Sequence, residues 1–129
     1  LSLLKITELD FLERLNKLQI LILTTCKKLG DLEISRISNY ELRTLNISEC
    51  ELLTDRALSE IHNLGKLEYL AMSSTSITEK GLKSVMNLKN LKFLDIKGCS
   101  VEKSSAEFQA LQQKPHLELS FGQIIMDII

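Results

Sequence analysis

The feature that most constrains this chain is an apolar pattern that returns every 24 or 25 residues. The pattern is Leu-x-x-Leu-x-(Leu/Ile/Met), and its clearest copy is Leu42-x-x-Leu45-x-Ile47. Unrelated sequence would not hold this phase over about 100 positions, so the spacing predicts repeated structural units. Four copies begin at Leu18, Leu42, Leu67 and Leu91.

Two further copies extend the pattern towards both ends of the chain. Residues 1–6 read Leu-x-x-Leu-x-Ile and match an earlier copy with a shortened middle. A last copy that begins at Lys114 places Leu117 and Leu119 at the two inner apolar positions of the strand. The chain is therefore predicted to be one domain of five to six repeats. The predicted starts lie near residues 1, 18, 42, 67, 91 and 114.

Each copy divides into a strand and a helical segment. The first half of residues 42–67 alternates apolar and polar side chains, as does a strand with one buried face. The second half spaces Leu58, Ile61 and Leu64 by three, which is typical of a short helix. Thr54-Asp55 places a hydroxyl and a carboxylate where free backbone N–H groups need acceptors. The predicted helical segments are residues 8–16, 31–38, 55–63, 79–87 and 103–113.

One such unit has too little apolar surface to fold alone, whereas stacked units share a continuous core. The sequence therefore predicts an α/β fold, a right-handed solenoid curved like a horseshoe. Its parallel β-sheet would line the concave side, and its short helices would lie on the convex side. Gly81 is expected where a neighbouring coil approaches the backbone closely.

Three cysteines and one threonine recur at the ninth position of their repeats, where the chain leaves the strand. They are Cys26, Cys50, Thr75 and Cys99. A small donor at this position can bond to exposed backbone carbonyls, so we predict a buried structural ladder rather than a reactive site. No Cys-x-x-Cys or histidine pair has metal-ligand spacing, and no metal or other cofactor is predicted. An odd number of unpaired thiols indicates a reducing compartment, so the expected location is intracellular, in the cytoplasm or nucleus.

The segment from Leu42 to Cys50, followed by Leu53-Thr54-Asp55-x-x-Leu58-x-x-Ile61, resembles the cysteine-containing subfamily of leucine-rich repeats. The repeat from Leu67 is similar, with Thr75 in place of the cysteine. This subfamily is best known from F-box substrate receptors of ubiquitin ligases. The resemblance implies recognition of a protein on the concave surface, without catalysis by the repeats.

Side chains that alternate along stacked strands should form lanes on the concave face. The third-position lane is Leu3, Ile20, Thr44, Tyr69, Phe93 and His116. The fifth-position lane is Lys5, Ile22, Asn46, Ala71, Asp95 and Glu118. The seventh-position lane is Thr7, Thr24, Ser48, Ser73, Lys97 and Ser120.

Tyr69 and Phe93 are predicted to lie side by side on this surface, where exposed aromatic residues are typical anchors of protein interfaces. The alternative is that the two rings only stack on each other as cross-strand neighbours. The predicted partner-binding residues are Tyr69, Phe93, Asp95, Lys97, His116, Glu118, Ile20 and Ile22. Asp95 and Glu118 share a lane and superficially resemble an acid–base pair, but no nucleophile motif, Gly-rich phosphate loop or metal motif accompanies them. The chain is therefore predicted not to be an enzyme.

Composition excludes two classes of partner. The net charge is −1, with 16 basic and 17 acidic residues interspersed, so the sequence lacks the concentrated basic field that nucleic acid binding needs. No apolar run approaches the roughly 18 residues that a membrane span requires. The expected partner is therefore another protein.

Both ends of the chain are apolar, although the terminal units of stacked repeats need polar caps. We therefore expect a fragment of a larger protein, with further repeats or end-to-end association at either terminus. The alternative is that residues 121–129 fold back as an apolar cap. The leading hypothesis is a protein-interaction module, with substrate recognition in a ubiquitin ligase as its more specific form. One alternative is a structural subunit buried in a larger assembly, and another is a pathogen effector or decoy built from the same repeats.

Overall fold

The computed structural model describes residues 18–122, so the repeat predicted at residue 1 and the helical segment predicted at 8–16 lie outside the described range. Within it, short strands and short helices alternate along the chain. The strands are β1 (Ile20–Ile22), β2 (Thr44–Asn46), β3 (Tyr69–Ala71), β4 (Phe93–Asp95) and β5 (Glu118–Ser120). The helices are α1 (Asp31–Ser35), α2 (Asp55–Ile61), α3 (Leu82–Val85) and α4 (Ala106–Gln112), and a 3-10 turn, Glu79–Gly81, directly precedes α3.

The five strands form one parallel sheet in which spatial order follows chain order. Each strand is paired with the strand of the next repeat, in the register that the apolar pattern predicts for β1 to β4. The middle residue of each of these four strands is a leucine with no exposed surface: Leu21, Leu45, Leu70 and Leu94. The α/β class and the parallel sheet are therefore confirmed.

The helices complete a single core with these leucines. Each helix lies inside a segment that the sequence predicts as helical, and consecutive helices pack against each other. Their buried residues include Ile34 in α1, Leu58 and Ile61 in α2, Val85 in α3 and Phe108 in α4. Spacing by three or four places such residues on one side of a helix, which is the side that covers the core.

The register predicted for the last repeat is wrong by two residues. Leu119, and not Leu117, lies opposite Leu94, so this repeat begins at His116 rather than at Lys114. The sequence misled because leucines at both 117 and 119 satisfy the alternation in either register. The structure keeps the 25-residue spacing from Leu94 to Leu119, whereas a start at Lys114 requires a shorter spacing of 23.

The backbone turns out of each of the first four strands through one residue in the left-handed region. These residues are Thr25 (φ 58°), Glu49 (φ 62°), Ser74 (φ 55°) and Gly98 (φ 74°). Only glycine adopts this conformation without a steric penalty from the Cβ atom, so three of the four turns are strained. The residue that directly follows each left-handed residue is Cys26, Cys50, Thr75 or Cys99.

Carboxylates at the starts of two helices join consecutive repeats. Asp55, the first residue of α2, accepts a hydrogen bond from the Thr78 backbone N–H at 2.6 Å and another from the Thr78 hydroxyl at 2.5 Å. Asp31, the first residue of α1, accepts the same two bonds from Thr54. The threonine hydroxyls in turn accept bonds from the N–H groups of Arg56 and Lys80 as helix caps.

Gly81 lies against the side chains of the preceding repeat, as the sequence analysis predicts. A Cβ atom at this position would stand 2.6 Å from Asp55 Oδ1 and 2.6 Å from Leu58 Cδ1. The absence of a side chain at Gly81 therefore allows the helical layers of two repeats to meet.

Candidate functional site on the open face of the sheet

No helix of residues 18–122 covers one face of the sheet, and we call this face the open face. Its side chains form two rows across the strands, because alternate residues of each strand point to the same side. The first row is Ile20, Thr44, Tyr69, Phe93 and Glu118. The second row is Ile22, Asn46, Ala71, Asp95 and Ser120.

Two aromatic rings occupy the middle of the first row. Tyr69 and Phe93 are paired residues of β3 and β4, and their ring centroids lie 4.7 Å apart with an angle of 12° between the ring planes. The rings are thus stacked side by side, as predicted from the repeat spacing. Tyr69 is 37% exposed and Phe93 is half-buried, whereas Ala71 in the second row is only 2% exposed.

An apolar surface continues the open face towards β1. Ile20 is 57% exposed and Ile22 is 39% exposed, although both are large aliphatic residues. Neither contributes to the core, which Leu21 and Leu23 fill from the opposite side of the same strand. Burial of such side chains against a partner would remove apolar area from water at roughly 25 cal/mol per Å².

A row of ion pairs borders the aromatic rings where the strands begin. Arg43 Nη1 lies 2.7 Å from Glu68 Oε2, and Lys92 Nζ lies 3.5 Å from Glu68 Oε1. The hydrogen bond from Arg43, followed by the positive charge of Lys92, holds the pKa of Glu68 below its usual value. These three charges are not among the predicted binding residues, although they recur at the second position of consecutive repeats.

Asp95 is one of the polar residues predicted to surround the rings, and the structure also gives it a role at the end of its strand. Asp95 lies in the second row, and its Oδ1 accepts a hydrogen bond from the Lys97 backbone N–H at 3.0 Å. Asn46 makes the equivalent bond to the backbone N–H of Ser48 at 3.1 Å. These bonds close the ends of β2 and β4, so Asp95 has a structural task as well as a place on the open face.

The register of β5 corrects the predicted positions of His116 and Glu118. His116 precedes the strand, is exposed and has a φ of 66°, so it does not lie on the open face. Glu118 lies opposite Phe93 in the first row, while Ser120 takes the place beside Asp95 that was predicted for Glu118. The two carboxylates therefore lie in different rows and not in one lane, where they were compared with an acid–base pair.

Three side chains at the ninth position of their repeats, those of Cys50, Thr75 and Cys99, bond to backbone carbonyls of the preceding repeat or of their own. Cys50 Sγ donates to the Leu23 carbonyl at 3.0 Å, and Cys99 Sγ donates to the Met72 carbonyl at 3.1 Å. Thr75 Oγ1 donates to the same Met72 carbonyl at 2.8 Å. Cys50 is fully buried, and this burial raises the pKa of its thiol, so the sulfur keeps its proton for the hydrogen bond.

Cys26 and Cys99 are partly buried, and Cys26 packs against the core beside Cys50. In residues 18–122, no group of three or more histidine, cysteine, aspartate or glutamate side chains is arranged to hold a metal ion. Over the same range, no helix is both long enough and apolar enough to cross a bilayer.

Comparison with protein-family models finds no match to the chain, and comparison with curated protein sequences finds none either. The class of protein must therefore be argued from the sheet, its register and the open face.

Proposed function

We propose that this chain is a leucine-rich-repeat module that binds a protein partner through the open face of its sheet. Three features support the repeat assignment. The strands follow one another at intervals of 24 or 25 residues, leucines of consecutive strands pair in register, and a thiol or hydroxyl ends each turn. Each feature joins one repeat to the next, as expected for a stacked architecture.

The stacked pair of Tyr69 and Phe93 is the observation that carries the binding function. The core does not require these rings, because Leu70 and Leu94 on the same strands already fill it. The few interface residues whose truncation costs about 2 kcal/mol or more are enriched in aromatic side chains such as tyrosine. Their mutual stacking also contributes to the sheet, by about 0.5–1.5 kcal/mol.

The experiment that tests binding compares two double variants. Tyr69→Ala with Phe93→Ala removes the stack, and Leu32→Ser with Leu52→Ser removes exposed apolar surface elsewhere. The second pair is a matched control because Leu32 is 71% exposed on α1 and Leu52 is 55% exposed in the turn before α2. Both variants should fold, as circular dichroism and thermal unfolding would show.

In affinity capture from cell extract followed by mass spectrometry, wild type and the leucine variant should retain the same proteins. The aromatic variant should lose them. Partners that the folded aromatic variant retains would refute binding through the open face.

A second candidate is a structural subunit, and the exposed leucines away from the open face favour it. Leu32 and Leu52 would then be buried against neighbouring subunits, and the outcome of the same experiment would be reversed. Loss of assembly in the leucine variant, with full retention in the aromatic variant, would establish this alternative.

The more specific proposal, substrate recognition in a ubiquitin ligase, rests on the resemblance of residues 42–61 to the cysteine-containing repeats. It predicts that ubiquitin-ligase subunits copurify with the full-length protein. A reducing compartment is proposed with it, because no disulfide joins Cys26, Cys50 and Cys99, which all lie within residues 18–122.

A further inference from the structure

The stack of Tyr69 and Phe93 uses one face of each ring, and we call the face that the stack does not use the free face of that ring. The two strands are neighbours, and parallel strands lie about 4.8 Å apart, which matches the 4.7 Å between the ring centroids. The rings are therefore stacked along the first row, from strand to strand. The free face of Tyr69 looks over Thr44 on β2, and the free face of Phe93 looks towards Glu118 on β5.

The carboxylate of Glu118 has no partner among residues 18–122. Glu118 is exposed, and its backbone rather than its carboxylate is hydrogen-bonded, with the backbone N–H donating to the Lys92 carbonyl at 2.9 Å. The lysine side chain nearest in sequence to Phe93 is engaged elsewhere, since Lys92 pairs with Glu68. The second face of a partly exposed aromatic ring thus stands next to a carboxylate that has no partner among residues 18–122.

A planar cation fits this combination better than any other side chain. The guanidinium of arginine can lie flat on an aromatic face while its N–H groups donate to a carboxylate in the same plane. The ammonium of lysine is a point charge that can make either contact but lacks the flat shape. An acidic side chain would meet Glu118 with like charge, and the surface would reject it.

We propose that the protein partner contributes an arginine whose guanidinium lies on the free face of Phe93 and pairs with Glu118. The inference rests on the proposed function and adds the chemistry of the partner. The first row extends over four strand spacings, roughly 19 Å, from Glu118 to Ile20. An extended segment of about six residues covers that distance, with arginine at one end and an aliphatic residue against Ile20 at the other.

A random library of 12-residue peptides, displayed and selected on the purified chain, tests the proposal. The same library is selected in parallel on the Tyr69→Ala, Phe93→Ala variant, and peptides that bind only the wild type are synthesised. These peptides should contain arginine. Replacement of that arginine by glutamine should weaken binding about tenfold, because one cation–π contact and one exposed ion pair are lost together.

Variants of Glu118 test the pairing directly by fluorescence polarisation. Glu118→Gln should weaken binding about fivefold, which is the upper range for an exposed ion pair. Glu118→Arg should abolish it, and a peptide with glutamate in place of its arginine should bind this variant. Glu51→Gln is the matched control, because Glu51 is exposed but lies outside the open face.

The two proposals fail in different ways. Peptides that require Tyr69 and Phe93 but lack arginine, or that bind Glu118→Gln as tightly as wild type, would overturn the arginine site and leave the binding function in place. A selection that yields no peptide dependent on the two rings would overturn both.

Discussion

The hydrogen bonds between Asp55 and Thr78 offer a quantitative test of how consecutive repeats are held together. Asp55→Ala removes both acceptors at once and leaves the partly buried Thr78 backbone N–H without a partner. The variant also removes a negative charge from the first turn of α2, where the helix dipole favours it. The two hydrogen bonds and the favourable interaction of the charge with the helix dipole are all lost from the folded state.

The expected cost follows from these contacts. A hydrogen bond to a charged group contributes about 1.5–3 kcal/mol, and partial exposure places each of these bonds near or below the lower limit. Two such bonds, with about 0.3–1 kcal/mol from the helix dipole, give a loss of about 3 kcal/mol in the free energy of unfolding. For a domain of this size, that loss lowers the Tm by about 10 °C.

The assay is equilibrium unfolding in urea, with Asp31→Ala as the matched control. Asp31 makes the same two bonds to Thr54, but these are exposed to solvent, so the control should lose only about 1–1.5 kcal/mol. Thr78→Val keeps the backbone N–H and removes the hydroxyl. A double-mutant cycle between Asp55→Ala and Thr78→Val should therefore give a coupling energy of about 1 kcal/mol.

Two results would refute the reasoning. If Asp55→Ala and Asp31→Ala lower the free energy of unfolding by the same amount, partial burial does not determine the strength of these hydrogen bonds. If the coupling energy between positions 55 and 78 is zero, the carboxylate stabilises α2 alone and does not join the repeats.

Four further predictions test separate features of the structure. Gly81→Ala should lower the free energy of unfolding by about 1–3 kcal/mol in the same urea assay, because its Cβ overlaps neighbouring side chains; an unchanged midpoint would contradict the close approach. Glu49→Gly should raise the free energy of unfolding by about 0.5–1 kcal/mol, because glycine relieves the left-handed strain of an exposed residue. A loss of stability in this variant would show that the turn is not strained. Cys50 should resist iodoacetamide in the native protein, since burial both shields the thiol and raises its pKa; peptide mapping that finds Cys50 alkylated as fast as Cys26 would exclude the buried thiol. The pKa of Glu68 is lowered in the folded state from its ordinary value of 4.5, so its contribution to stability is fully present above pH 4.5 and is lost as the pH falls through the folded pKa. Glu68→Gln should therefore flatten the dependence of stability on pH below about 4.5, and unchanged acid sensitivity would show that another group is responsible.

The strands and their pairing could be predicted from the sequence because each depends on a few local positions. Leu45, Leu70 and Leu94 fix which side of each strand is buried, and their spacing fixes which residues of neighbouring strands meet. The stacking of Tyr69 on Phe93 follows from that register alone. The last repeat shows the limit of the method, because Leu117 and Leu119 satisfy two registers and only the packed structure selects one.

The remaining features depend on contacts between repeats or on backbone conformation. The spacing of apolar residues carries no information about either. Thr25, Glu49 and Ser74 adopt left-handed conformations that their residue types disfavour, so no composition signal marks them. The pairing of Asp55 with Thr78 links residues 23 positions apart, whereas the sequence suggested only a local helix cap. The position of Glu118 opposite Phe93 depends on the register of β5, which the sequence leaves ambiguous.

The uniform strand spacing has a consequence for how the chain folds. Successive strand pairs join residues that are 24, 25, 24 and 25 positions apart, so closing each loop costs nearly the same conformational entropy. Loop closure therefore favours no pair of repeats as the folding nucleus. The nucleus should instead form at the pair of repeats with the most stabilising contacts between them. The repeats that Asp55 and Thr78 join are the strongest candidates. Folding that begins there spreads outwards in both directions, and amide hydrogen exchange should be slowest around β2 and β3 and progressively faster towards β1 and β5.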